Sequence, residues 1–390
     1  MKQQYNYYNQ AEQFHRQVPV VDCHNDLAGE LLLRHQKGET HVIQRLYLSN
    51  WKAAGFQLIV SSIYIENAVF FPKTPVSDYS GKRQPDHDNP KDWNYYWKQH
   101  QLCWEQGFAN ALAQIDAITQ EIHELPDELC LVTTAEDISQ IKQGGKIGIL
   151  LYMEGLDCIG ADLSRLHTLY RLGIRGASLT WSRPNLLATG CCTATKHQDI
   201  PGSITPLGEQ VVRILQENSM FLDISHLNNE GWNQVNQLYS NEKKMGAKWM
   251  PYIATHSNSY KIYPNYRNLT DSQMTALANQ GGIMGLNACK YIVGSQNPAD
   301  YLDSMCNHIE YMVKLVGAEH VGFGFDLCDS YSKGKYQTET VDREDCLENH
   351  KEALLLTARL LERGMSEQNV LRIIGLNWLE YFEGLLNQAL

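Results

Sequence analysis

Short apolar runs recur along the chain, and most of them stop abruptly at a polar residue. The first contains Val18, Val20 and Val21 and breaks into Asp22, Cys23, His24, Asn25 and Asp26. A brief run of β-branched residues bounded by polar ones predicts a buried strand. Similar runs predict strands at 55–65, 146–153, 174–180, 220–225, 252–255, 282–286 and 320–325. Between them the spacing turns helical, at 27–36, 92–122, 163–172, 206–218, 229–239, 270–279 and 298–316. Two further helices, 349–363 and 366–377, close the chain. Thr205 followed by Pro206 is an N-cap with proline in the first helical turn, and Thr270 with Asp271 opens another helix.

Alternating strands and helices imply a parallel sheet. Eight strand–helix units are the number that closes an α/β (β/α)8 barrel, the TIM-barrel fold. An open doubly wound sheet is the other architecture for this rhythm. It is disfavoured because no glycine-rich phosphate turn follows the first strand. One barrel domain is expected over 1–390, with an insertion at about 66–104 after the second strand. The insertion begins rich in Pro, Asp and Lys and ends in Trp93, Tyr95, Tyr96, Trp97 and Trp104. That aromatic cluster reads first as packing, then as a pocket wall or subunit contact.

Composition narrows the partners. A hydrophobic share of 43% and a charged share of 20% suit a globular chain with a substantial core. A net charge of −11 argues against nucleic acid or an anionic membrane as the main partner. The N-terminal stretch is polar, no run is long enough to span a bilayer, and the ten cysteines form no CxxC pairs. These features predict a cytoplasmic protein with reduced thiols. The adjacent Cys191 and Cys192 read as loop packing.

The chemistry lies at the strand ends. His24 and Asp26 end the first strand, Glu154 the third, His226 the fifth, His256 the sixth and Asp326 the eighth. On an extended chain His24 and Asp26, two apart, point to the same side. In a barrel the C-terminal tips of the strands meet at one mouth, where active sites of this fold lie. A single histidine after a strand is ordinarily a hydrogen-bonded loop residue. Three histidines and three carboxylates at strand tips call for a metal, and they exceed what one tetrahedral zinc needs. Two ions bridged by a carboxylate would use them. Mixed imidazole and carboxylate donors suit Zn2+, with Mn2+ or Co2+ as alternatives, and not Ca2+.

Several stretches together resemble the membrane (renal-type) dipeptidase family, peptidase family M19, among the amidohydrolase-like barrels. They are HND at 24–26, YMEG at 152–155, LGIRGASLTW at 172–181, TPLGEQVV at 205–212, DISH at 223–226, THSNSY at 255–260, RN at 267–268 and GFGFD at 322–326. The likeness runs from Val18 to Phe382. It implies a binuclear zinc dipeptidase, with His24, Asp26 and Glu154 on one zinc and Glu154, His226 and His256 on the other. It also implies Glu154 as the bridge, Asp326 as acid and base, Arg267 on the terminal carboxylate of a small dipeptide, and a homodimer. Trp181 and Tyr291 are placed with Arg267 as substrate-binding residues. Two departures stand out. Trp181 occupies the place of a histidine thought to steady the scissile carbonyl oxygen in many members. The family's DFDG ending reads Asp326-Leu327-Cys328-Asp329 here. These departures keep open a metal-dependent hydrolase of another small amide or a lactone. A metal-binding barrel without catalysis and a purely structural barrel are the readings outside hydrolysis.

Overall fold

The strand after Lys146 shows how the barrel is built. The structure is a computed structural model that describes residues 2–66, 69, 101–191, 201–295, 297–336 and 344–388. Among the described residues the eight strands are β1 (Val20–Asn25), β2 (Phe56–Tyr64), β3 (Leu129–Leu131), β4 (Ile147–Glu154), β5 (Ile174–Ser178), β6 (Phe221–Asp223), β7 (Met284–Leu286) and β8 (Val321–Phe323). Along β4, Ile149, Leu151 and Met153 enter the large apolar layer shared with the helices, whereas Leu150 and Tyr152 enter a second, smaller cluster. Alternation therefore puts Leu150, Tyr152 and Glu154 on one face. The smaller cluster also takes Val21, Leu58, Val60, Phe221, Ile253 and Ile283. Side chains gathered from so many strands mark the interior of a curled, closed sheet.

All strand pairs are parallel, in the order β1-β2-β4-β5-β6, with β7 beside β8. The sixth predicted strand, 252–255, survives only as parallel bridges, Asp223 with Ile253 and Ala254 with Met284. These join β6 to β7. The ring closes where the Asp326 N–H donates to the His24 carbonyl at 3.1 Å. The (β/α)8 barrel is thus the fold. The short β3 was not predicted: Leu129-Cys130-Leu131 is too brief for a periodic signal, and pairing with the start of β4 makes it a strand. The last helix was also placed too short. A π-helical turn, Arg372–Leu376, carries the chain into Asn377–Leu386. Trp378, Tyr381, Phe382 and Leu385 of that helix join the interior cluster. The Trp378 indole N–H donates to the Phe323 carbonyl at 3.0 Å and the Tyr381 hydroxyl to the Pro251 carbonyl at 2.6 Å. Most of the expected insertion, with Trp93, Tyr95, Tyr96 and Trp97, lies outside the described residues, as does Cys192. Trp104, in the helix Gln101–Glu124, packs against the large apolar layer.

Two buried histidines tie loops to this frame. His15 donates from Nδ1 to the Ala54 carbonyl and meets Thr357 Oγ1 through Nε2. His308 meets the Val293 carbonyl through Nε2 and accepts from the Ser259 N–H. Burial drives both pKa values from 6.5 to about 4, although the carbonyl partners pull the other way. A depressed histidine pKa stabilises the fold fully above 6.5. Below that the unfolded chain binds the proton and the native ring does not, so stability falls until the pH reaches about 4. At about 1.4 kcal/mol per pH unit, each ring costs up to roughly 3 kcal/mol over this window. Thermal melts between pH 7 and 4 should show this slope, and His308→Gln should make it shallower. An unchanged slope would remove His308 from the account.

Candidate metal centre

β1 delivers the first two donors by an irregularity rather than by simple alternation. Its pairing with β2 shifts register between Asp22 and Asn25, so the strand carries an extra residue there. A bulge of this kind re-aims side chains, and such bulges gather beside active sites. Val21 and Cys23 both face the interior, and the bulge lets the next residue, His24, face the mouth as well. The expectation that His24 and Asp26 share a side as parts of one strand is therefore corrected. The strand ends at Asn25, and Asp26 stands at the N-cap of the helix Leu27–His35, its φ −76° and ψ 32° no longer extended. The two still meet, with His24 Nε2 3.7 Å from Asp26 Oδ1. Ser62, inward-facing on β2, donates its hydroxyl to Asp26 Oδ1.

Glu154, at the tip of β4, is the hub. Its Oε1 lies 2.9 Å from His226 Nε2, 3.4 Å from His256 Nε2 and 3.6 Å from His24 Nε2. Asp326 Oδ1 is 3.5 Å from His24 Nε2. The five predicted ligands and Asp326 thus converge on one pocket. Two overlapping groups have donor atoms close enough to hold an ion, His24–Glu154–His256 and His24–Asp26–Asp326.

Each imidazole turns its Nδ1 to a hydroxyl and its Nε2 into the cluster. His226 Nδ1 meets Ser182 Oγ at 2.8 Å, His256 Nδ1 meets Thr255 Oγ1 at 2.7 Å, and His24 Nδ1 meets the Tyr152 hydroxyl. Metal-ligating histidines are oriented in this way. The buried His24 Nε2 has no hydrogen-bond partner, and the Nε2 atoms of His226 and His256 face each other at 3.0 Å. The electrostatics agree. Burial raises the Glu154 pKa well above its ordinary value; His24 opposes this, and Asp26 and Asp326 reinforce it. Burial would lower His24, but Glu154, Asp26 and Asp326 override it and lift the ring to about 10. Burial, aided by Arg267 and His24, holds His226 and His256 well below 6.5. Carboxylates that call for positive charge, neutral imidazoles and an unpartnered buried nitrogen fit metal ions of the zinc type.

Asp326 follows β8 with φ 56°, a left-handed conformation uncommon outside glycine and tolerated by Asp. Its N–H is tied to His24, and Asn287 donates to Oδ2 at 2.9 Å. Burial raises its pKa, with Asp26 adding and His24 and Arg267 opposing. Arg267 is 1% exposed and forms no ion pair among the described residues. Its guanidinium donates to the carbonyls of Ser225 and His256, and Nε is buried without a partner. Trp181 lies nearly parallel to the His226 ring, centroids 5.6 Å apart, with Tyr64 at 5.1 Å. Arg183, paired with Asp157 at 3.0 Å, sits over the Trp181 ring. Tyr291 is 43% exposed, its carbonyl held by Asn265 at 2.8 Å. The sequence reading missed Asn287 as a partner of Asp326, and also the hydroxyls of Ser182, Tyr152 and Thr255. Only the adjacency of Thr255 to His256 hinted at the last.

The comparisons with known proteins bear on the whole barrel. The family described as membrane dipeptidase (peptidase family M19) matches residues 8–385. An uncharacterized protein of the PQQ-III 3' region of Acinetobacter calcoaceticus is 27% identical, over 77% of this chain and 91% of its own length. Dipeptidase ataJ of Aspergillus terreus is 25% identical, over 96% of this chain and 86% of its own. Among solved structures, the dipeptidase AC, a metallo peptidase of family M19, superposes with a TM-score of 0.75 at 23% identity, over 96% of this chain and 99% of that one. A metallo peptidase from Rhodobacter sphaeroides, liganded with a phosphinate mimic of L-Ala-D-Ala, gives 0.73 at 22% identity, over 96% of this chain and 100% of that one. With the match spanning all eight strands and nearly all of the helix that ends the barrel, the chain belongs to the membrane dipeptidase family, the M19 metallo-dipeptidases.

Proposed function

We propose that the chain is a binuclear zinc dipeptidase. His24, Asp26 and Glu154 would hold one ion and Glu154, His226 and His256 the other, with Mn2+ or Co2+ as substitutes. The observation that carries this is Glu154 Oε1 lying within 3.6 Å of three imidazole Nε2 atoms drawn from three strand tips. When bound, such ions polarise a carbonyl oxygen and bring the pKa of a water near neutrality. The residues supply the rest. Asp326 takes the proton of the attacking water and returns it to the leaving amine, the role of a carboxyl buried beside its reaction partner. Asn287 holds Asp326 Oδ2, which leaves Oδ1 toward His24. Arg267 meets the terminal carboxylate of the dipeptide; a buried guanidinium that forms no ion pair among the described residues is ready for one. Trp181, stacked on His226, shapes the wall where other members carry histidine.

A panel of dipeptides tests this, with L- and D-residues at the C-terminal position, set against N-acyl amino acids and lactones. The inclusion of D-residues follows from the L-Ala-D-Ala mimic on the Rhodobacter sphaeroides protein. Dipeptides should be the preferred class, activity should vanish with a chelator, and zinc should restore it. Preference for N-acyl amino acids or lactones would overturn the dipeptidase reading in favour of the related hydrolase.

A further inference from the structure

Below the donor cluster one hydroxyl touches two of its imidazoles. Thr255 Oγ1 lies 2.7 Å from His256 Nδ1 and 3.3 Å from His24 Nδ1. A hydroxyl has one proton to give and two lone pairs to accept with. The Thr255 proton goes to Asp223 Oδ2 at 2.7 Å. Asp223 also accepts the Thr255 N–H at 3.0 Å, and the Ser225 N–H and O–H at 3.0 and 2.6 Å. With its proton committed, Thr255 can only accept from the two rings. Accepting puts hydrogen on His256 Nδ1 and favours hydrogen on His24 Nδ1, which that ring shares with its nearer partner, the Tyr152 hydroxyl. Each Nε2 is then the nitrogen that would face a bound ion. Tyr152 completes the circuit. Its hydroxyl meets His24 Nδ1 and lies 3.5 Å from Thr255 Oγ1.

The backbone fixes this hydroxyl. Besides the N–H bond to Asp223, the Thr255 carbonyl is wedged between Gly285 and Gly324, where a Cβ on either residue would collide with its oxygen. Those glycines are needed for close approach. Thr255 is therefore held at both ends by neighbouring strands, and its side chain has little room to move.

We propose that Thr255 is a positioning residue that couples the two metal positions. His24 and His256 fall on different ions in the proposed function, on which this inference rests, and the same hydroxyl lies within reach of the Nδ1 of both. Ser182 and Tyr152 serve as contrasts, because Ser182 meets only His226 and Tyr152 only His24 among the ligand rings.

The test is a zinc titration of metal-free full-length protein against a chromophoric chelator, with the Co2+ absorption spectrum as a second readout. Thr255→Val keeps the shape and removes the hydroxyl. Both binding steps should weaken, by about 10- to 100-fold each, the range for a lost partner of a ligating histidine. Ser182→Ala and Tyr152→Phe should each weaken a single step, and Thr255→Ser should restore both. Should Thr255→Val fold poorly by circular dichroism, Thr255→Cys, which offers only a weak acceptor, is titrated with the same expectation. If the wild type takes two ions and the Thr255 variant loses affinity at one or neither, the coupling is overturned. If the wild type takes fewer than two, the two-ion reading itself fails.

Discussion

Replacing Asp326 by Asn should lower kcat by about two to four orders of magnitude while leaving bound metal unchanged, the span general acid–base catalysis supplies. Asn keeps the shape and can still accept from the Asn287 amide through its oxygen. It cannot take a proton from water and return it to an amine. Asp326 is not among the ligands proposed for either ion, so metal content separates a lost proton carrier from a damaged site. The left-handed φ of 56° is tolerated by Asn as by Asp, so the loop should hold. KM should change little, because Arg267 is untouched. Metal content and steady-state kinetics on the same preparation decide the matter. Full turnover would remove Asp326 from the chemistry, and loss of metal would make it a ligand instead.

Glu154→Gln is expected to have the larger effect on metal. The carboxylate is 3% exposed and faces all three imidazoles, so both proposed ions depend on its charge. Taking one partner from a buried charge interaction costs about 3–5 kcal/mol, or roughly two to four orders of magnitude in zinc affinity. Hydrolysis should fall to background at micromolar zinc. The fold should survive, since a neutral amide is cheaper to bury than a carboxylate without its cation. Zinc should therefore raise the melting temperature of the wild type, as any ligand of the native state does, and leave that of the variant nearly unmoved. An equal zinc-induced shift in both proteins would contradict the role given to Glu154.

What the sequence made legible was the rhythm and its end points. Apolar runs such as 146–153 announce themselves through period and composition, and the polar residue that ends each run falls where a barrel opens. The match to the family, over 8–385, takes in all of these stretches. What stayed hidden depends on contacts between distant residues. The bulge in β1 is set by pairing with β2, and no local spacing encodes it. β3 becomes a strand only because β4 offers a partner. The run at 252–255 keeps its place in the ring as two bridges, and Thr255 is held there by Asp223 and by the close approach of Gly285 and Gly324, all contacts from distant parts of the chain. The hydroxyl shell is hidden for the same reason: Thr255 and His24 are neighbours across the barrel, 231 positions apart in sequence. Trp181 shows a further limit. Its position in the chain marked a substitution, but only the fold shows it stacked on His226.

The most direct test is anomalous diffraction at the zinc edge from crystals grown with zinc. Two peaks should flank the Glu154 carboxylate, one toward His24 and Asp26 and the other toward His226 and His256. A single peak, or peaks remote from Glu154, would contradict the account.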